Sequence, residues 1–159
     1  MNHRLARLSL VIALSLGLGA CATLPSPEIM KAEVAAFQLP KKPDADQAMV
    51  YVVRPSSMGG LVRFNVFLND KEAPSEMGYT RSSQYIYFSV SPGDHRVFSK
   101  AENWAELLVN VKAGDVVFIQ QEVNMGVIMA RNTLLALDEV TGTYHVKKTE
   151  LGTIIKAAK

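Results

Sequence analysis

One cysteine stands in the whole chain of 159 residues. A single thiol excludes an internal disulfide framework, which needs an even count, and leaves no cysteine pair for a structural zinc site. Histidine is scarce too. His95 and His145, the two beyond the N-terminal segment, are isolated and lack ligand spacing, so His95 reads as a hydrogen-bonding residue beside a turn. The Gly-x-Ser-x-Gly turn that presents a serine nucleophile is missing. Gly59-Gly60 is not followed by the Lys-Ser/Thr of a phosphate-binding loop. Asp94 and His95 are adjacent, and neighbours on a strand point to opposite faces, so they do not serve one nucleophile. The carboxylates Glu102, Glu106, Asp115, Glu122, Asp138 and Glu139 mostly fall in turns or at positions expected to be exposed. The sequence therefore points to no catalytic residue, no metal and no cofactor.

The chain also lacks an apolar run of the ~20 residues a spanning helix needs. The longest, Leu8 to Leu18, follows Arg4 and Arg7 and ends in small residues. A basic head, a short apolar middle and a small-residue end are the marks of a secretory signal peptide. Leu18-Gly19-Ala20-Cys21 resembles the lipobox of bacterial lipoproteins. The resemblance implies cleavage before Cys21 and a diacylglycerol on its thiol. It also implies a membrane anchor, since each buried CH₂ contributes about 0.8 kcal/mol and two signals suffice for stable attachment. Ala22 rather than Asp after the cysteine implies the outer membrane, facing the periplasm, in a Gram-negative host. Cleavage would remove 20 of the 159 residues and two of the 17 basic side chains, leaving 15 Lys and Arg against 15 Asp and Glu. A neutral domain carries no electrostatic footprint for nucleic acid.

Three parts are expected: a signal peptide at 1–20, a lipidated N-terminus and tether at 21–47, and one domain at 48–159. Pro25, Pro27, Pro40 and Pro43 interrupt the tether. A short helix is expected over 27–37, with Ser26 as N-cap and Pro27 at its first position. From Ala48 the period becomes two. Residues 48–54 are apolar on both faces, which predicts a central strand. Val62, Phe64, Val66 and Leu68 share one face of the next strand, and Asn69-Asp70 predicts a two-residue turn. A weak edge strand is expected near 72–77, because Pro74 argues against a central one. Strands follow over 84–90, 95–100, 107–111, 116–123 and 127–130. The turn at Ser91-Pro92-Gly93-Asp94 implies that 95–100 runs back antiparallel, and the turn at Ala113-Gly114-Asp115 implies a hairpin. Residues 133–137 read as a further strand, and 138–148 as a short helix or a strand. Short strands separated by Gly/Pro turns predict a mainly β fold, an antiparallel sandwich or partly open barrel, with a short C-terminal helix as the one addition.

The segments Tyr51-Val52-Val53-Arg54-Pro55, Val66-Phe67-Leu68-Asn69-Asp70, Gly78-Tyr79, Ser91-Pro92-Gly93-Asp94-His95 and Ala113-Gly114-Asp115 occur in an order that resembles a bacterial lipoprotein family, the domain of unknown function 2846. The resemblance covers residues 37–125 and implies location and architecture but no activity. Asn69-Asp70 stands where that family usually has a turn glycine, and Val117-Phe118 where it commonly has tyrosines.

Tyr85 and Tyr87 share a strand face opposite the expected core side, and Trp104 is expected in a nearby loop. Tyr, Trp and Arg are enriched at interface hot spots, so these three are the candidate binding residues; the bland alternative is that the tyrosines pack beneath the C-terminal segment. The leading expectation is a non-enzymatic binding or assembly module of the cell envelope, anchored to the membrane through Cys21 and contacting an envelope protein or glycan. Next comes a chaperone-like or structural accessory that offers a strand edge, and last a hydrolase.

Overall fold

The computed structural model describes residues 24–156, so Cys21 and the expected signal peptide lie outside the described residues. Helix α1 (Pro27–Val34) begins as expected, with the Ser26 hydroxyl accepting from the Ile29 N–H and Pro27 in the first turn. It is followed by β1 (Ala48–Arg54), β2 (Phe64–Leu68), a 3-10 turn (Ala73–Ser75), β3 (Glu76–Thr80), β4 (Gln84–Val90) and β5 (Gly93–Lys100). Then come β6 (Trp104–Val111), β7 (Val116–Met125), β8 (Ala130–Leu137), α2 (Glu139–Lys148), β9 (Glu150–Leu151) and β10 (Thr153–Ile154).

The strands form two five-stranded sheets, β8-β7-β1-β4-β9 and β10-β3-β2-β5-β6. The fold is mainly β, a sandwich and not a closed barrel, with a short C-terminal helix. The second sheet is antiparallel throughout, whereas in the first β1 pairs with β7, and β4 with β9, in parallel. Two expected hairpins are therefore absent. The turns at Pro92-Gly93 and Ala113-Gly114 carry the chain from one sheet to the other, so β5 pairs with β2 and β6 rather than β4, and β7 with β1 and β8 rather than β6. A turn sequence fixes a change of direction but not which sheet receives the next strand.

β1 is the central strand that its composition predicts. All seven of its residues are buried. Ala48, Val50 and Val52 join Ile86, Phe88 and Ile119 against Val66, Val97, Val109 and Val111 of the facing sheet. Met49, Tyr51 and Val53 point outward, where they form a second cluster with Tyr85, Phe118 and Val146. Helix α2 covers that outer cluster. Asp138 caps it, its carboxylate accepting from the Thr141 N–H at 3.0 Å, which decides for a helix over 138–148. Gly142, which weakens a helix by propensity, stands where the helix meets the sheet: a Cβ there would lie 2.1 Å from Phe118 Cγ.

The described part of the expected tether is not free. α1 packs on α2, with Met30 buried and Lys148 Nζ 2.6 Å from Glu33. Phe37 and Leu39 extend the outer cluster. The Tyr51 hydroxyl donates to the Lys41 carbonyl at 2.6 Å and accepts from the Lys41 N–H at 2.9 Å. Burial pushes that phenol up to about 12. The expected edge strand near 72–77 is also corrected. Pro74 lies in the 3-10 turn, and β3 runs between β2 and the two-residue β10. The link from β2 is longer than a two-residue turn; Asn69 enters it with a left-handed φ of 68°. As expected for a turn-flanking residue, His95 Nε2 bonds the Ser91 carbonyl at 2.7 Å, and its Nδ1 lies 3.2 Å from the Asn69 side-chain oxygen.

Gly142→Ala places its methyl against Phe118, and overpacking of a tight core costs about 1–3 kcal/mol. Thermal unfolding of the variant is expected several degrees below the wild type; an unchanged midpoint would mean that the α2–sheet contact is looser than described here.

Candidate interaction surface

Four connections meet at one end of the sandwich: residues 55–63, 81–83, 101–103 and 126–129. The Ser83 N–H donates to the Ser56 carbonyl, and the Glu102 N–H to the Ala130 carbonyl. The end is built on Arg54, the last residue of β1. Its side chain is fully buried because the strand is central. Three carbonyls receive its guanidinium: Val62 at 2.6 Å, Met58 at 2.8 Å and Gly59 at 2.9 Å. The Phe64 ring lies 3.9 Å away, face on. Burial brings the guanidinium down to about 10, so it is still a cation at neutral pH. Behind it, Gln121 crosses between the sheets, its amide nitrogen donating to Ser99 at 2.7 Å and its oxygen accepting from Thr80 at 2.5 Å.

The second charged group is Glu102, in the β5–β6 turn. Its carboxylate accepts three successive backbone N–H groups of the β7–β8 turn: Val127 at 3.1 Å, Ile128 at 2.8 Å and Met129 at 2.7 Å. Arg131 Nη1 adds an ion pair at 3.7 Å. These N–H groups bring the carboxyl down to about 2, with Arg131 contributing less. A depressed carboxyl supports the fold above its ordinary pKa of 4.5, and that support is lost as the pH falls toward 2. Gly126 is required here, since a Cβ would meet the Met129 carbonyl at 2.0 Å and Glu102 Oε2 at 2.6 Å.

The result is an apolar tip hydrogen-bonded from below and facing water. Val127 is 89% exposed, Ile128 88%, Met125 87% and, in the Arg54-braced loop, Leu61 96%. Val53 pairs with Gln120, so β7 runs on past the end of β1; the four further residues 122–125 carry the hairpin about 13 Å beyond it. Arg63 and Lys100 line a shallow hollow with Leu61 and Met129. Large apolar residues exposed together mark an interaction site, whereas single ones need no explanation.

The structure separates the three expected binding residues. Tyr85 is buried and Tyr87 half-buried in the outer cluster, 6.1 and 5.5 Å from the Tyr51 ring, so the alternative of packing beneath the C-terminal segment holds for them. Trp104 opens β6 rather than lying in a loop. It sits on the other sheet, 36% exposed, against Phe67 at 5.2 Å and under the ammonium of Lys100 at 5.1 Å. Only Trp104 borders the loop end. Of the strand expected over 127–130, residues 127–129 form the tip and Ala130 opens β8; a short apolar run has no period that tells a strand from a loop. Among the described residues, no group of three His, Cys, Asp or Glu side chains could hold a metal ion. His145 is buried with Nε2 unpartnered, and burial holds its pKa down. Its support for the fold is present above about pH 6.5 and falls away in acid.

Arg54→Met keeps the volume but leaves three carbonyls without their donor. An unsatisfied buried group costs roughly 1–3 kcal/mol and these carbonyls are only partly buried, so a loss of about 1–3 kcal/mol in chemical denaturation is expected. A loss below about 1 kcal/mol would remove Arg54 as the brace of this end.

Comparison with known proteins gives a family and no activity. No curated protein matches the sequence. Residues 44–134, more than half of the chain and the stretch from just before β1 into β8, match the family described as protein of unknown function, DUF2846. The chain belongs to that family.

Proposed function

We propose that the chain is a lipid-anchored protein of the cell envelope, held in the membrane by acylated Cys21 and facing the periplasm in a Gram-negative host. In this reading it is a non-enzymatic binding or assembly module, and its working surface is the loop end around Leu61 and Val127–Met129. The observation that carries the reading is the clamp of one carboxylate on three successive N–H groups beneath a tip whose side chains are almost wholly in water. Exposed apolar side chains gain nothing for the fold itself, so an ordered arrangement of them is accounted for by a partner. Strand addition has less support. The β6 and β8 sides meet through Asn103 and Asn132, and the opposite edges are strands of two residues.

Two readouts test the proposal. Cys21→Ser is expected to abolish palmitate incorporation, and persistent labelling would refute the anchor. A photo-reactive residue at position 128 is expected to be trapped in cells on one dominant envelope component, while the same residue at Lys112, in the turn at the far end of β6, is not. Equal, scattered adducts from both positions would contradict the surface assignment.

A further inference from the structure

We infer that the β7–β8 tip dips into the surface of an anionic lipid bilayer, so that the domain touches the membrane at a second place besides its anchor. This rests on the lipid-anchored reading above and names the occupant of its working surface. Four observations favour a bilayer.

The first is shape. Val127 and Ile128 stand on a projecting turn and not in a groove. A convex apolar point finds its complement in a soft apolar medium.

The second is backbone satisfaction. A turn enters the bilayer surface at lower cost when its backbone donors are already paired, because little water is there to pair them. The N–H groups of Val127, Ile128 and Met129 are all taken by Glu102, and the carboxylate is itself matched by Arg131. Val127 and Ile128 can thus leave water without stranding their own donors.

The third is the charge around the tip. Arg63 and Lys100 flank the hollow beside Leu61 and Met129. Arg81 lies in the 81–83 turn, where Ser82 approaches Gly60. Of the nearby acids, Glu102 is turned onto the tip's backbone, while Glu122 on the hairpin stem and Glu150, whose N–H donates to the Ser83 carbonyl, face water. An apolar point ringed by Lys and Arg matches acyl chains beneath anionic headgroups. Trp104, half in water beside Lys100, suits the headgroup level, where tryptophan collects.

The fourth is reach. Pro27 lies beside Asp138, one residue beyond Leu137, which pairs with Phe118. The tip starts at Met125, about 24 Å further along the strand. Five residues lie between Cys21 and Pro27, a contour of at most about 20 Å. The two lengths are similar, so tip and anchor can reach one bilayer with the strands inclined to it.

The test uses the full lipidated protein in vesicles of phosphatidylethanolamine with one quarter phosphatidylglycerol. An environment-sensitive dye is attached at Ile128→Cys or, as control, at Lys112→Cys; acylated Cys21 does not compete for it. Dye at 128 is expected to shift to the blue and to be quenched several-fold more by lipid-borne quencher than dye at 112. The shift is expected to shrink in purely zwitterionic vesicles and to vanish when Val127→Asp is added. Dye at 128 that remains water-like on floated vesicles overturns the inference while leaving the anchor, which is read by palmitate labelling, untouched. Shielding that occurs only when envelope proteins are present assigns the tip to a protein and overturns it as well. An equal shift in charged and neutral vesicles contradicts the role given to the basic rim.

Discussion

β1 is buried on both faces from Ala48 to Arg54, and most of the arrangement follows from this constraint. Its inner face, Val50 and Val52, draws the second sheet over it. Its outer face, Met49, Tyr51 and Val53, has to be covered by something else, and α2 with residues 37–41 does so. That cover buries the outer face of β1. The strand also ends on a cation that has no water to turn to. A buried charge is tolerated only when its hydrogen bonds are met. Arg54 meets those of its two terminal nitrogens with carbonyls of the following loop, which sets the shape of residues 58–62, while its Nε has no partner. Core burial and loop order are thus consequences of the same strand.

Glu102 does for the neighbouring turn what Arg54 does for the first loop, with the opposite sign. One charge takes carbonyls and the other takes N–H groups, and both leave apolar side chains facing outward. Arg54 and Glu102 thus both place their charge on the backbone of a loop. Two rigid loops with Leu61, Val127 and Ile128 exposed make a surface suited to contact.

Much of the fold was legible in the sequence. Alternation marked the strands and the two-sided apolar run at 48–54 marked the central one, whereas Asp138 followed by Lys147-Lys148 left 138–148 open between a helix and a strand. Pairing was not legible, because parallel neighbours such as β1 and β7 are distant in sequence and their register leaves no local trace. The helix at 27–34 was visible, but its docking on α2 depends on Met30 and Glu33 meeting residues more than 100 positions away. The three aromatic candidates lie apart in the fold. Tyr85 and Tyr87 alternate away from the core as an exposed pair would, yet a second layer covers them. The tip was hidden for the opposite reason, since Val127-Ile128-Met129 has strand composition and is kept out of the sheet by Gly126 and a carboxylate some 25 residues earlier.

The central claim is that the exposed tip is ordered in advance of any contact. Amide hydrogen exchange at Val127, Ile128 and Met129, measured at neutral pH in the protein without a partner, tests it most directly. The account predicts that these three amides exchange far more slowly than their exposed side chains would suggest, and that Glu102→Gln accelerates them while amides of β1 are unchanged. Exchange at the rate of an unstructured chain in the wild type would contradict it.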